Sequence, residues 1–406
     1  MKNILFITES YEIAPSPNGN IVRILANKMQ EEGFNISVLA LKNQYVKKQS
    51  IVNGVKVYRS STHIEWAVMY SKMPKIIKSA LIRVINVFKL IFVFMHPLRS
   101  PIVLLNLYRR SKKIVSEDKI DTVIGVYRDA ETAYCAYKLK NKFPKLKLVI
   151  YTLDAISGGV CSNKFIGVEK HIKKCRKLEE KFVNQCDLYL PLVAHKSIYE
   201  HRFKEYIDKI KYVDLPNLTI CDYDLKHNNE KINFVFTGMM TETNADCSYF
   251  LRVFESLSKI VPCEFNLYGG ISDSLLKKVE KLEGQVIFHG KRTQNELYHI
   301  REKADVLCTF GNNYSCGVPC KIFEYIGTKK PILATYKIDD DAGKFYLEKY
   351  PKAILIKESE DLVEEHAKFI VSSLDEIKNL IITNEEIEFR FYKNTPREFI
   401  DLIKEM

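Results

Sequence analysis

The chain has 406 residues, which at roughly 150 residues per domain excludes a single small module and fits two large domains. With 46% apolar and 28% charged residues it has the balance of a globular protein, far from the low-hydrophobicity signature of disorder. The 62 basic side chains against 50 acidic ones leave a net charge of +12, which favours an anionic partner such as phosphate, a membrane surface or nucleic acid.

The chain opens as strand, loop, helix and strand. Apolar Ile4 to Ile7 is followed by a loop of Pro, Asn and Gly, then by Ile21, Val22, Leu25 and Met29 at helical spacing, a stop at Gly33, and a second apolar run from Ile36 to Leu41. This is a βαβ unit. The first apolar run is short and closes on Glu9, which falls short of a signal peptide's core. The ten cysteines include no CxxC and no set spaced for zinc, Cys316 and Cys320 merely standing four apart. A reducing, cytoplasmic setting is expected, with no metal site and no cofactor.

From Trp66 to Ser116 there are ten Lys or Arg and no Asp or Glu, so this stretch carries most of the excess charge. Between Lys72 and Met95 the polar residues Lys72, Lys75, Lys78, Ser79, Arg83, Asn86 and Lys89 fall within an arc of roughly 140° at 100° per residue, leaving the other faces apolar. A membrane-spanning helix needs about 20 apolar residues and tolerates central charge badly. The pattern therefore predicts a helix lying in an anionic membrane surface, with Trp66, Phe88, Phe92 and Phe94 nearby. A second apolar run, Ile102 to Leu107, leads into Arg109, Arg110, Lys112 and Lys113. The alternative is that these apolar faces pack on the first domain or on a second subunit. Nucleic acid is disfavoured, because no aromatic and basic interleaving on strands accompanies the charge.

Further strands are expected at 121–126, 147–153, 187–190 and 211–215, with helical segments between them, which implies a parallel sheet covered on both faces. After Leu215-Pro216-Asn217 the composition turns polar, and a new alternation begins with INFVFTG (232–238), EFNLYGG (264–270), QVIFHG (285–290), ADVLCTF (304–310) and PILAT (331–335). The fold class is α/β, with two Rossmann-like doubly wound domains at 1–216 and 217–383 and a charged helical segment at 384–406 that straps back onto the first. Ligands of open α/β sheets bind beyond the carboxyl ends of the strands, so function is expected in a cleft lined by the strand-end loops of both domains.

The segment GNNYSCGVPCKIFEYIGTKKP (311–331) predicts a helix of about two turns, with Pro319 at its first position, Gly327 as its stop and Pro331 beyond. A helix start opening from a glycine loop gathers unpaired N–H groups and the positive dipole end, which suits an anion. Lys321 in that first turn adds a full charge, and Glu324, about 4.5 Å further along the same face, is placed to accept from ribose hydroxyls. The alternative is an ordinary amphipathic helix on whose solvated side Lys321 and Glu324 pair.

The run VIFHGKRTQNELYHIREKADVLCTF (286–310) with VPCKIFEYIGTKKPIL (318–333) resembles the donor-binding half of GT-B fold glycosyltransferases, particularly family 4. INFVFTGMM and NLYGG resemble the opening strands of that half, YVDLPNL the linker before it, and residues 7–41 the family's first βαβ unit. Two departures stand out. Of two Glu residues that the family carries eight positions apart, Glu324 matches the second while Cys316 occupies the first site. The loop after Gly238, MMTETNAD, also lacks the family's basic pair. Pro319-Cys320-Lys321-Ile322-Phe323-Glu324 is similar to a Pro-Ser-Lys-x-x-Glu variant of the family, so Lys321, helped by Lys291 or Arg292, is expected to supply the missing charge.

The resemblance implies a metal-independent glycosyltransferase that moves a sugar from a nucleotide diphosphate donor to a saccharide acceptor. That acceptor would be lipid-linked, at the inner face of a bacterial membrane, in surface polysaccharide synthesis. Gly19, Gly238, Lys291, Arg292, Val318, Pro319, Cys320, Lys321 and Glu324 would bind the donor. Asp154, at the end of LVIYTLD and before Gly158-Gly159, would orient or deprotonate the acceptor hydroxyl, or else serve as a helix cap or loop acid. Arg128 and Asp129 are weaker candidates for positioning the acceptor, with capping the alternative at Asp129. Asn18 and Gly19 would approach donor or acceptor closely, or form a tight turn. His289 and Gly290 would present backbone groups to the base, or simply end a strand. The rival readings are a sugar-nucleotide epimerase and an inactive membrane-recruited scaffold. Dinucleotide and P-loop enzymes are disfavoured by the lack of GxGxxG at either sheet's opening and of GxxxxGK[ST] anywhere.

Overall fold

The structure is a computed structural model that describes residues 2–11, 17–41, 47–69, 71–90, 92–158, 166–221, 223, 230–282, 284–312 and 317–406, with the backbone alone at 17, 18, 89 and 90. It divides into two compact units, Met1–Pro216 with Thr395–Met406, and Asn217–Asn394.

The first unit runs β1 (Asn3–Thr8), α1 (Pro17–Glu31), β2 (Asn35–Leu41), β3 (Gln49–Val52), β4 (Val55–Ser60), α2 (Ile64–Met69), α3 (Lys75–Leu90), α4 (Pro101–Glu117), β5 (Thr122–Tyr127), α5 (Ala130–Lys142), β6 (Lys147–Thr152), α6 (Val168–Gln185), β7 (Leu188–Pro191) and α7 (Lys196–Glu200). Its seven strands lie in the order β3-β4-β2-β1-β5-β6-β7, parallel except for the edge strand β3. The continuous apolar runs of β1, β2, β5 and β6 are buried on both faces, as a sheet covered by helices on each side requires.

The second unit runs β8 (Ile232–Met240), α8 (Ser248–Leu257), β9 (Cys263–Ile271), α9 (Asp273–Val279), β10 (Val286–Phe288), α10 (Gln294–Lys303), β11 (Val306–Phe310), α11 (Lys321–Ile326), β12 (Ile332–Tyr336), α12 (Ala342–Leu347), β13 (Ala353–Lys357), α13 (Val363–Ile377) and α14 (Asn384–Arg390). All six strands are parallel, in the order β10-β9-β8-β11-β12-β13. A cluster of Phe234, Phe250, Phe254, Phe265 and Phe310 rings fills its core.

The C-terminal segment does not act as one piece. It divides at Thr395: α14 stays in the second unit, while α15 (Pro396–Glu405) belongs to the first. There Phe399 meets Phe6 at 6.5 Å and Tyr151 at 5.1 Å between ring centres, and Lys2 Nζ donates to the Ile403 carbonyl at 2.7 Å.

Four sequence expectations change. α1 begins at Pro17, so Asn18 and Gly19 lie in its first turn and not in a tight turn; a Cβ at Gly19 would press on Ser10 Oγ at 2.7 Å. The expected strand at 211–215 reduces to isolated bridges, Tyr189 to Ile210 and Leu192 to Val213. The hairpin of β3 and β4, turned by Asn53 and Gly54 at φ 47° and 79°, and the edge strand β13 were not foreseen. The basic stretch 66–116 runs from the end of α2 through α3 and α4, and these last two have different fates. α4 buries Val103, Leu104, Leu107, Ile114 and Val115, whereas no described side chain of α3 is buried.

Candidate functional site

β8 pairs with β9 along its full length but with β11 only at Phe234 and Val235. Past Val235 the strands diverge, at the place where the order of the second sheet reverses. α11 closes the freed edge of β8: the Tyr325 hydroxyl accepts the Thr237 amide at 3.0 Å and faces Thr237 Oγ1 at 3.0 Å. Ile322, Phe323, Tyr325 and Ile326 are buried, so α11 is a core helix pinned to the strand end. It is shorter than expected, six residues from Lys321, with Cys320 as its cap and the Pro319 carbonyl accepting from Ile322 N at 3.1 Å.

Lys321 and Glu324 turn to separate partners, not to each other. Lys321 Nζ donates to the Thr237 carbonyl, lies 5.4 Å from the centre of the Phe236 ring, and stands over Gly238 where any Cβ would collide with it. A Cβ at Gly269, opposite Gly238 on β9, would likewise strike the Gly238 carbonyl, and the Gly269 amide donates to the Gly290 carbonyl at 2.8 Å. Glycine thus stands at adjoining positions of β8 and β9, with Gly290 just beyond β10 next to them. Burial pushes the Lys321 pKa down to about 8, with Glu324 opposing the shift, so the ammonium stays mostly charged at neutral pH. Its contact with Thr237 uses one of three donors.

Glu324 accepts from Arg301 at 3.2 Å and lies 3.5 Å from Asn217 Nδ2, which itself donates to the Cys320 carbonyl at 2.9 Å. Burial opposes the charge on Arg301, but Glu324 and Tyr223 hold its pKa above the ordinary value. The carboxylate is therefore aimed by a nearly buried guanidinium while its own side chain keeps 28% of its surface open. Val318, Pro319 and Cys320 are half-buried beside it. Lys291 and Arg292 follow Gly290 and are exposed, with the Arg292 guanidinium 6.0 Å from the Tyr268 ring. The expected backbone readout at His289 and Gly290 is not available in full: the His289 amide donates to Leu267 and the Gly290 carbonyl is taken by Gly269. The His289 ring instead stacks on Tyr268, 4.4 Å apart and 7° from parallel.

In the first unit the reversal lies between β1 and β5. Arg128, after β5, and Asp154, after β6, form a half-exposed ion pair at 3.4 Å, so two of the predicted residues are brought together at the carboxyl edge. Asp129 is 2% exposed and meets His63 Nε2 at 2.6 Å, and its side chain makes no capping bond, so the capping alternative does not hold. Although burial works against its charge, His63 and Glu131 hold the Asp129 carboxyl well below the usual range. Burial and the neighbouring Asp129 drive Glu131 well up; it accepts from the amides of Arg99 and Ser100, at the start of α4. The loop after Asp154 is tied down by buried Glu179, which accepts from Ser157 N at 2.9 Å and Arg202 at 2.6 Å. Gly159 and Cys316 lie outside the described residues, as does the side chain of Asn18.

Sequence reasoning missed Arg301, Asn217, Tyr325 and His63. Arg301 sits in a charged run, IREKAD, that reads as a solvated helix end, and His63 meets its partner across 66 residues.

Residues 231–376 match the family model described as glycosyl transferases group 1. No curated protein matches the chain. Among solved structures, a glycosyltransferase from Rickettsia africae superposes with a TM-score of 0.65 at 14% identity, over 100% of this chain and 98% of that one. The fold is GT-B. Sucrose-phosphate synthase from Thermosynechococcus elongatus follows with a TM-score of 0.62 at 12% identity, over 99% of this chain and 94% of that one. The catalytic domain of starch synthase IV from Arabidopsis thaliana, bound to ADP and acarbose, gives 0.62 at 8% identity, over 100% and 98%. In this GT-B chain the loop after Gly238 carries no basic pair, and the charge over that glycine comes from Lys321 on α11.

Proposed function

We propose that this chain transfers a sugar from a nucleoside diphosphate sugar to a saccharide acceptor without a metal ion. One observation carries the reading: Lys321 Nζ stands over the glycine floor at the end of β8, at the reversal point of a parallel sheet, with donors to spare. A diphosphate set on Gly238 and Gly269 would exchange the Thr237 carbonyl for phosphate oxygens on Lys321. As the bond to the sugar breaks, charge builds on the leaving diphosphate, and a preorganised cation in a partly desolvated site stabilises that charge most. Glu324, aimed by Arg301, would accept from the ribose hydroxyls, with Lys291 and Arg292 at the outer edge. The similarity to a structure holding ADP and acarbose supports this class of donor. Asp154, oriented by Arg128, would position or deprotonate the acceptor hydroxyl.

A lipid-linked acceptor in surface polysaccharide synthesis fits the α3 arm. Ile76, Val84, Val87 and Phe88 are exposed there beside Lys75 and Arg83, and among the described residues no helix is long and apolar enough to cross a membrane. An amphipathic helix of this kind lies in the headgroup layer of an anionic leaflet. The test is a panel of UDP, GDP and ADP sugars incubated with and without saccharide acceptors. Product only with acceptor supports transfer; conversion of the donor alone would make the chain an epimerase, and no nucleotide binding would make it a scaffold.

A further inference from the structure

No described side chain of α3 is buried, whereas α2 is anchored by buried Val68 and by Trp66 against the core. Beyond α3 the chain passes through a tight turn, Val93–Met95, and is fastened to α6 there: Lys174 donates to the carbonyls of Val93 at 3.3 Å and Phe94 at 2.7 Å, and His96 Nε2 meets His171 Nδ1 at 2.7 Å. His171 and Cys175 are four residues apart on α6 and so share one face. Cys175 Sγ lies 3.8 Å from both ring nitrogens of His171. His171 and Cys175 are buried and His96 is half-buried, and one ligand atom from each residue falls within 4.8 Å of the others.

We propose that His96, His171 and Cys175 form a site for a borderline divalent ion, zinc above all, that clips the end of the arm to α6. Two imidazoles and one thiolate are a donor set that zinc takes, with water in the fourth position on the more open His96 side, whereas magnesium and calcium need oxygen ligands. Bonds of about 2.0–2.1 Å to nitrogen and about 2.3 Å to sulfur put tetrahedral ligand atoms roughly 3.3–3.6 Å apart. The sulfur stands 3.8 Å from His171 Nδ1, roughly 0.2–0.5 Å beyond that separation, and the three ligand atoms lie within 4.8 Å of one another. The two imidazoles must part by roughly 0.6 Å, exchanging their mutual hydrogen bond for two metal bonds. The shared imidazole proton moves to the far ring nitrogen, and the thiol proton leaves to solvent. Spacing of cysteines alone could not reveal the site, because it combines an i,i+4 pair with a histidine 75 residues away.

This inference is independent of glycosyl transfer, and its test does not read activity. The full chain, stripped with EDTA, is titrated with cobalt(II), which reports thiolate ligation by a near-ultraviolet charge-transfer band and tetrahedral geometry by intense visible bands; zinc then displaces it. The wild type should show both bands at one equivalent. Cys175→Ser should lose the charge-transfer band, and His96→Ala, at the half-buried position least needed for folding, should weaken binding more than about tenfold, since even outer partners of metal ligands are worth 10–100-fold. A wild type without the charge-transfer band, or a band unchanged in both variants, would overturn the proposal.

Discussion

At the reversal point of the first sheet, between β1 and β5, the strand ends are crowded with interacting polar groups: Asp129 with His63, Glu131 with the amides of Arg99 and Ser100, and half-buried Glu9, its pKa raised by burial, nearby. Beside the reversal point of the second, between β8 and β11, glycine stands at Gly238 on β8 and at Gly269 opposite it on β9, and one partly desolvated lysine stands over Gly238. Buried pairs of this kind hold a fold together, although His63 Nδ1, Asp129 Oδ1 and Glu131 Oε2 find no hydrogen-bond partner there. A cation over bare backbone, with one donor engaged, is ready for an anion. The same topology thus yields a structural corner in one sheet and a candidate binding floor in the other.

Asp129→Ala leaves His63 and Glu131 facing each other without the carboxylate, and should cost about 3–5 kcal/mol of unfolding free energy in urea titrations while nucleotide affinity is unchanged. A loss below about 1 kcal/mol would deny that corner its structural role. Gly238→Ala places a methyl where the Lys321 ammonium stands, so transfer should fall roughly 10²–10³-fold, as when one preorganised electrostatic donor is removed. Wild-type turnover in that variant would mean that the glycine floor is incidental. Glu324→Ala removes an aimed carboxylate and should raise the dissociation constant for a nucleoside diphosphate by about 1.5–3 kcal/mol, read by calorimetry.

The pH dependence follows from Lys321. Its pKa of about 8 in the free protein lies below that of an ordinary lysine, and a bound diphosphate favours the charged form. Above pH 8 binding must therefore take up a proton, and affinity should fall by up to about tenfold per pH unit, while below pH 8 this contribution is flat. Lys321→Ala should abolish the slope. The smallest effect concerns the arm: Lys75→Glu with Arg83→Glu should lower retention on anionic vesicles at low salt by about 1 kcal/mol for each cation lost. Equal retention would favour a protein partner for α3.

Apart from β3, β4 and β13, the strands of both sheets were legible because parallel strands buried on two faces read as apolar runs, and the glycines and proline around α11 announced a short helix there. The fate of the basic stretch was not legible. α3 and α4 are both apolar and cationic, and only the tertiary structure reveals that α4 lies in the core while α3 does not. The hairpin of β3 and β4 could have been read from Asn53-Gly54, a dipeptide suited to two positive φ angles, between QSIV and VKVYRS. Tyr325 reads as one more apolar position of a core helix, and its hydroxyl gains meaning only where β11 leaves β8.

Calorimetric titration of UDP, GDP and ADP into the wild type and Lys321→Ala, with thermal unfolding of both proteins alongside, shows whether Lys321 holds the diphosphate. One nucleotide should bind the wild type, bind the variant at least about tenfold more weakly, and leave the two ligand-free melting temperatures within a few degrees. Equal affinity in the two proteins, or a failure of all three nucleotides to bind the wild type, would contradict the account.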